Sequence, residues 1–196
     1  MSGALSKVYL VRHGETAWTI SGQHTGRTDI ALTERGERDA QELSARLKGL
    51  TFAKVLTSPL QRAWRTAELA GFGDSAQPDP DLMEWDYGAY EGRRTAEIRA
   101  EHPGWHLFKD GCPGGETLQA VSVRADRVIG RIRVLEGDVL VFAHRDILRI
   151  LAIRWLNLPA VEARHFYLTT ASLSILGYDH GLDEPVIRLW NDGRHL

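Results

Sequence analysis

The sequence contains a single cysteine and no long hydrophobic run. Cys112 therefore cannot form an internal disulfide, and no second cysteine is available to bind a metal with it. No run of about 18 apolar residues occurs, and residues 1–7 lack the basic and apolar segments of a signal peptide. These absences exclude a disulfide scaffold, and they predict a cytoplasmic protein that does not enter a membrane.

The sequence also lacks an excess of basic residues. It has 24 Lys and Arg against 26 Asp and Glu, which is not the balance of a nucleic-acid-binding protein. Affinity for a small anion must then come from cations that the fold gathers at one place. A length of 196 residues suits one core. We expect residues 1–196 to form a single domain, and the sequence does not indicate an oligomeric state.

Short apolar runs alternate with segments of helical spacing along the chain. The runs at 8–11, 54–57 and 139–143 predict buried strands, and residues 172–177 and 186–190 predict two closing strands. Strands that alternate with helices favour a parallel arrangement covered on both sides. The sequence therefore predicts an α/β fold, a three-layer sandwich with a mostly parallel central sheet and helices on both faces.

Two helix starts can be predicted from the residues that precede them. Apolar residues at spacings of three and four predict a helix with one buried face, comprising Ala40, Leu43, Leu47 and Leu50. Thr33 is the predicted N-cap of that helix. Ser58 followed by Pro59 predicts a second helix start, with Arg62 in its first turns. Residues 71–81 are rich in Gly, Pro and Asp and predict a surface connection.

Two histidines directly follow predicted strands. His13 lies in the sequence Arg12-His13-Gly14 after the first strand, and His144 follows the strand at 139–143. Ligands of such sheets bind beyond the carboxyl ends of the strands, where both histidines are expected. A neutral imidazole can form a covalent phosphoryl intermediate, and an arginine beside it can hold phosphate oxygens. The pattern therefore indicates phosphoryl transfer with His13 as nucleophile.

Arg62, His144 and Glu84 are the further candidates for this chemistry. Arg62 and His144 would add donors for the phosphate, and Glu84 could give a proton to the leaving oxygen if apolar neighbours raise its pKa. The neighbours in sequence are Met83 and Trp85. The residues alone leave other interpretations open, because Arg62 could be a solvated helix residue and Glu84 an exposed loop glutamate.

Four segments occur in a characteristic order along the chain. They read VRHGET at 11–16, GQHTG at 22–26, TSPLQRA at 57–63 and EWDYGAYEG at 84–92. This arrangement resembles the histidine phosphatase superfamily, which is also called phosphoglycerate mutase-like, from about Lys7 to Asn191. The resemblance implies the same α/β sandwich and the same roles: His13 as nucleophile, Glu84 as proton donor, and Arg12, Arg62 and His144 as ligands of the phosphoryl group.

The resemblance also carries expectations about the substrate. It implies that Gln23, Thr25 and Gly26 contact the substrate, together with Tyr87, a neighbour of Glu84. The stretch at 87–92 is similar to the phosphatase branch, including sugar-phosphate and sedoheptulose-bisphosphatase-like proteins. The expected reaction is hydrolysis of a small phosphorylated metabolite without metal or other cofactor. A phosphoglycerate mutase and a catalytically weakened phosphate-binding protein are the alternatives.

Arg145 and the remaining histidines lie outside these segments. Arg145 stands where the family usually has glycine after the second histidine. It could add a cation for a second phosphate or carboxylate, pair with Asp146, or distort the backbone and weaken catalysis. No metal site is expected, because the other histidines show no ligand spacing with carboxylates or cysteines; these are His102, His106, His165, His180 and His195.

Overall fold

A computed structural model describes residues 5–194 of the protein, and its centre is a six-stranded sheet. The strands are β1 (Val8–Arg12), β2 (Lys54–Thr57), β3 (Ala76–Pro78), β4 (Val139–Ala143), β5 (Leu173–Tyr178) and β6 (Pro185–Asp192). Their order in the sheet is β3-β2-β4-β1-β5-β6. The first four are parallel to one another, whereas β5 runs antiparallel to β1, and β6 antiparallel to β5. The strands predicted from the sequence are confirmed.

Helices cover the sheet on both sides. Within the described residues the α-helices are α1 (Ala17–Ser21), α2 (Glu34–Leu47), α3 (Gln61–Leu69), α4 (Thr95–Glu101), α5 (Leu107–Asp110), α6 (Leu118–Arg133) and α7 (Arg145–Trp155). Short 3-10 turns occur at Pro80–Leu82, Gly88–Tyr90 and Ala160–His165. No helix in this part of the chain is both long and apolar enough to cross a membrane.

The alternation of side chains along each strand builds two separate cores. In β1, Tyr9 and Val11 point to one face and pack with apolar residues of α2 and α3. Val8 and Leu10 point to the other face, where α6 and α7 supply the packing. Because β1 and β4 are covered on both faces, their sequences are nearly continuous apolar runs. The predicted three-layer α/β sandwich is therefore confirmed.

The predicted helix starts had different outcomes. Thr33 caps α2, and its Oγ1 accepts a hydrogen bond from the Gly36 amide at 3.0 Å. The placement of Leu50 on the buried face was wrong, because α2 ends at Leu47 and Leu50 is 39% exposed. The prediction that Ser58 caps the next helix was also wrong. The N-cap of α3 is Leu60, whose side chain has no acceptor, and the Ser58 hydroxyl bonds the Leu60 amide at 3.3 Å and His144 at 2.7 Å.

The segment at 71–81 is more structured than its composition indicated. It contains β3, which pairs with β2 at the edge of the sheet, and a 3-10 turn. Proline is tolerated on an edge strand because one side of such a strand needs no ladder partner, and β3 ends at Pro78. Three mostly exposed residues carry no alternating apolar pattern, so the sequence alone predicted only a connection.

The register of the parallel strands brings three distant residues to one edge of the sheet. Arg12 of β1 lies opposite Ala143 of β4, and Thr57 of β2 lies opposite Phe142. The residues that follow are therefore neighbours: His13, Ser58 and His144. Because β5 is antiparallel to β1, the loop at 166–172 that precedes β5 also reaches this edge.

Candidate active site

His13 is a buried imidazole whose hydrogen position is determined by a backbone carbonyl. It is 3% exposed, and its Nδ1 lies 2.7 Å from the carbonyl oxygen of Gly14. A carbonyl oxygen can only accept, so Nδ1 carries the hydrogen and Nε2 keeps its lone pair. Burial, followed by the charges of Arg62 and Arg12, lowers the pKa of His13 well below 6.5. His13 is therefore neutral at neutral pH, with Nε2 as its basic atom.

His144 is fully buried, and its ring centroid lies 5.1 Å from that of His13. Its Nδ1 accepts a hydrogen bond from Nε of Arg62 at 3.1 Å, so its Nε2 carries the hydrogen and donates to Ser58 Oγ at 2.7 Å. Burial and the Arg62 charge lower the pKa of His144 well below 6.5. Both ring nitrogens thus have partners within the protein, and the predicted contact with a phosphoryl group stays a prediction.

Arg62 is held in place by backbone carbonyls. Its side chain is fully buried, with Nη1 donating to Thr28 O at 3.0 Å and Nη2 to Gly26 O at 2.8 Å and Thr25 O at 3.2 Å. The loop that supplies these carbonyls is itself fixed by Glu91, whose Oε1 accepts from the amides of Gly26 and Thr28. Arg62 is therefore not a solvated helix residue.

Arg12 has a buried donor without a partner. Its Nη1 donates to the carbonyl of Leu168 at 2.6 Å, whereas its Nε is buried and has no hydrogen-bond partner within residues 5–194. Burial, followed by the charge of Arg145, lowers the pKa of Arg12 to about 10. A buried unsatisfied donor costs about 1–3 kcal/mol. This Nε is thus suited to a ligand oxygen.

Glu84 lies at the N-terminus of α7. It is 3% exposed, and its carboxylate accepts from the amides of Trp85, Asp146 and Ile147 at 2.9, 3.0 and 3.1 Å. These hydrogen bonds favour the ionised form, but burial and then the charge of Asp146 outweigh them and raise the pKa of Glu84. Glu84 is therefore not an exposed loop glutamate, and its raised pKa suits a proton donor.

A buried ionic network lies behind Glu84, and only its Arg145–Asp146 pair was among the interpretations drawn from the sequence. Asp146 is 1% exposed and accepts from Tyr87 Oη at 2.7 Å, Arg149 Nη1 at 2.6 Å and Arg145 Nε at 3.3 Å. Burial alone would raise the pKa of Asp146, but the charges of Arg145 and Arg149 hold it well below its usual value. The i,i+3 spacing of Asp146 and Arg149 in a helix was the available signal.

The site opens into a cavity of about 290 Å³. Of the predicted residues, the cavity is lined by Arg12, His13, Gln23, Thr25, Glu84, Tyr87 and Arg145. Arg62 and His144 are fully buried and do not line it. Gly26 does not line it either, and a Cβ there would overlap the Trp85 carbonyl and the Glu91 carboxylate. Gly26 instead allows a close approach of two loops.

Other residues that line the cavity were not predicted from the sequence. The His24 ring contacts the Tyr87 ring at a tilt of 47° with centroids 4.7 Å apart, and His24 Nε2 lies 3.3 Å from Thr95 Oγ1. His24 belongs to the GQHTG segment, so its motif was a usable signal. Tyr167 and Thr169 reach the cavity from the loop before β5, and no local pattern indicates their role.

Arg145 has a regular helical backbone. It is the first residue of α7 and is not among the residues with positive φ, so no distortion follows from the absence of glycine. Its side chain is 49% exposed, lines the cavity and pairs with Asp146. Arg145 can therefore pair with Asp146 and also offer a cation to a second phosphate or carboxylate.

His165 Nε2 lies 3.4 Å from one carboxylate, Glu162, but the expectation that the other histidines show no ligand spacing with carboxylates was wrong for His180. Its Nδ1 lies 2.9 Å from Glu184 Oε2 and 3.3 Å from Asp179 Oδ2, in the exposed turn between β5 and β6. Such contacts are typical of surface ion pairs. His195 lies outside the described residues.

Comparisons with known proteins agree with this geometry. The model of the histidine phosphatase superfamily (branch 1) matches residues 8–193. An acid phosphatase of Mycobacterium tuberculosis is 40% identical over 186 residues, which cover 92% of this chain and 91% of the relative. The sedoheptulose 1,7-bisphosphatase of Saccharomyces cerevisiae is 32% identical, with coverages of 96% and 94%.

A solved structure shows the same fold. The product of an open reading frame from Mycobacterium tuberculosis superposes with a TM-score of 0.89 at 36% identity, covering 95% of this chain and 97% of that one. The family model, the relatives and the fold all agree with the resemblance found in the sequence. The chain belongs to the histidine phosphatase superfamily, branch 1.

Proposed function

We propose that this protein hydrolyses phosphate monoesters of small metabolites through a phosphohistidine on His13, without a metal. The observation that carries the proposal is the state of His13: a buried, neutral imidazole whose Nδ1 hydrogen is held by Gly14. Its Nε2 is thereby left as the nucleophile. The unpartnered Nε of Arg12 and the charge of Arg62 supply the positive potential that a phosphoryl group requires.

In the first half-reaction, Nε2 of His13 attacks phosphorus and the bond from phosphorus to the ester oxygen breaks. The leaving oxygen takes its proton from the Glu84 carboxyl group, whose raised pKa keeps it available as an acid. Arg12 and Arg62 stabilise the charge on the other phosphoryl oxygens, with His144 beside them. The products are an alcohol, phospho-His13 and ionised Glu84.

In the second half-reaction, a water molecule attacks phosphorus as the bond from phosphorus to Nε2 breaks. Glu84 accepts the proton that this water loses, so it returns to its acid form. Inorganic phosphate leaves, and His13 is again a neutral imidazole. A mutase would share the first half-reaction but would use a substrate hydroxyl in place of water.

The cavity wall favours a hydroxyl-rich substrate. The polar residues Thr19, Gln23, Thr95 and Thr169 line it, and its volume suits a small metabolite. Relatives include an acid phosphatase and a sedoheptulose bisphosphatase. We therefore propose sugar phosphates as the substrate class. A cytoplasmic location fits such metabolites and the reduced, buried Cys112.

The proposal is tested by phosphate release from a panel of sugar phosphates, phosphoglycerates and a chromogenic phosphomonoester in the presence of a chelator. The native protein is compared with His13→Ala and with His180→Ala, a control whose side chain is 80% exposed. We expect release by the native protein and the control, and a loss of about 10³-fold or more in His13→Ala.

Three other outcomes would contradict this function. Release that persists in His13→Ala would exclude His13 as the nucleophile. Exchange between phosphoglycerate isomers without release would identify a mutase. Absence of both activities would favour a phosphate-binding protein.

A further inference from the structure

Arg145 is the cationic side chain that α7 presents to the cavity. The first amides of this helix are already engaged, since Glu84 accepts from the amides of Asp146 and Ile147. The helix N-terminus therefore has little capacity left for a second anion. The Arg145 side chain, 49% exposed and lining the cavity, remains available to a ligand.

The guanidinium of Arg145 is only partly used by the protein. Within residues 5–194, its one hydrogen bond runs from Nε to Asp146 Oδ1 at 3.3 Å, so Nη1 and Nη2 make none. Asp146 also accepts shorter bonds from Arg149 and Tyr87. By contrast, Arg149 is 6% exposed and binds both Asp146 and the carbonyl of Ala163. Arg149 is structural, whereas Arg145 has its outer donors free.

Arg145 shares its counter-ion, Asp146, with Arg149, so two arginines face one carboxylate. Arg12 and Arg145 line the same cavity and are close enough for the charge of Arg145 to disfavour that of Arg12. The raised pKa of Glu84 reduces its negative charge, whereas the Glu15 carboxylate, which accepts from the Thr33 hydroxyl at 2.8 Å, also lines the cavity. In the proposed reaction Arg12 binds the transferred phosphoryl group, and the charge of the buried Arg62 stabilises it. Arg145 can then bind a second anion.

We propose that Arg145 forms a second anion subsite, which selects phosphate monoesters that carry another anionic group, a carboxylate or a second phosphate. Nη1 and Nη2 present the paired donors that match two oxygens of such a group. This inference rests on the proposed function, because it assumes that the transferred phosphoryl group lies at His13. Arg145 is thus a specificity-determining residue, and the chemistry itself is carried out by other side chains.

Binding measurements test the inference independently of turnover. Calorimetry is performed on the His13→Ala protein with two matched pairs of probes. One pair is 3-phosphoglycerate and glycerol 3-phosphate, which differ by a carboxylate. The other is fructose 1,6-bisphosphate and fructose 6-phosphate, which differ by a phosphate. In at least one pair, we expect the member with the second anionic group to bind about tenfold more tightly, which is the gain that one charge-assisted hydrogen bond supplies.

Two further substitutions are then combined with His13→Ala. Arg145→Gln should reduce the ratio of affinities within the responding pair to about one, because glutamine keeps polarity but loses the charge. Arg154→Gln is the matched control, since Arg154 lies on the same helix and pairs with Asp126 on the surface. This control should keep the tenfold ratio.

The outcomes separate this inference from the proposed function. A ratio near one in the His13→Ala parent for both pairs, or a ratio that Arg145→Gln leaves unchanged, would overturn the subsite. A response of only one pair would support it and identify the second group as a carboxylate or as a phosphate. If the native protein releases no phosphate from any probe while the ratio depends on Arg145, the proposed function fails and the subsite stands.

Discussion

Replacement of Asp146 by asparagine should destabilise the protein strongly. Asp146 is 1% exposed, and its partner Arg149 is 6% exposed with its guanidinium 4.8 Å from the ring of Phe108. A neutral amide would leave the Arg149 charge buried without a counter-ion. Breaking a buried pair in this way costs about 3–5 kcal/mol. We expect a loss at the lower end, about 3 kcal/mol, because asparagine still offers one acceptor, and a fall in Tm of about 6–12 °C.

Urea unfolding at pH 7, followed by tryptophan fluorescence, measures this loss. Asp126→Asn is the control, because Asp126 forms a surface pair with Arg154 and should lose less than about 1 kcal/mol. Combining Asp146→Asn with Arg149→Met should restore part of the stability, since no unpaired charge then remains. A loss below about 1 kcal/mol in Asp146→Asn, or no recovery in the double variant, would refute the reasoning.

The same substitution should also move the pH profile. Burial raises the pKa of Glu84 first, and the charge of Asp146 raises it further. Without that charge, Glu84 loses its proton at lower pH, so the alkaline limb of kcat/KM should shift to lower pH. The Asp126→Asn control should keep the native profile. An unchanged alkaline limb in Asp146→Asn would show that Asp146 does not influence the proton donor.

Three further predictions concern the edge of the sheet. Because the pKa values of His13 and His144 are lowered, the unfolded chain binds more protons than the folded protein below about pH 6.5. The free energy of unfolding should therefore fall as the pH decreases below that value, and denaturant titrations at several pH values measure this change. Ser58→Ala should cost about 1–3 kcal/mol in urea unfolding, because His144 Nε2 loses its buried acceptor. Gly14→Ala should lower the free energy of unfolding by about 1–3 kcal/mol or more, because a Cβ at Gly14 would overlap a backbone oxygen of α2. Gly130→Ala on α6 is the control: its Cβ would have no atom within 4 Å, so it should not destabilise the protein.

The positions of the two histidines could be predicted because they depend on local patterns. An apolar run of four or five residues that stops at a polar turn marks the end of a buried strand, and His13 and His144 are the next residues. Parallel strands place their carboxyl ends at the same edge, so the sequence also predicted that the two rings meet. Thr33 was predictable for a similar reason, since an N-cap bonds an amide three residues away.

The roles of Ser58 and Arg62 could not be predicted in the same way. The sequence Ser58-Pro59 has the form of a helix start, but the Ser58 hydroxyl binds His144, which is 86 residues away. Arg62 lies in an exposed-looking helical pattern, yet carbonyls of residues 25–28 surround its guanidinium. Burial in both cases results from other chain segments, and local propensity carries no information about them.

The sequence by itself determined the α/β fold, the strand ends that carry the histidines and the family to which the chain belongs. These features depend on the period of apolar residues and on short motifs, which act over a few residues. Only the tertiary structure decided the protonation of the site. The pKa of Glu84 is raised because packing against α7 buries its carboxyl group and because Asp146, 62 residues further along the chain, adds a negative charge nearby. Desolvation and long-range charge arise when distant segments pack together, so they become definite only in the folded chain.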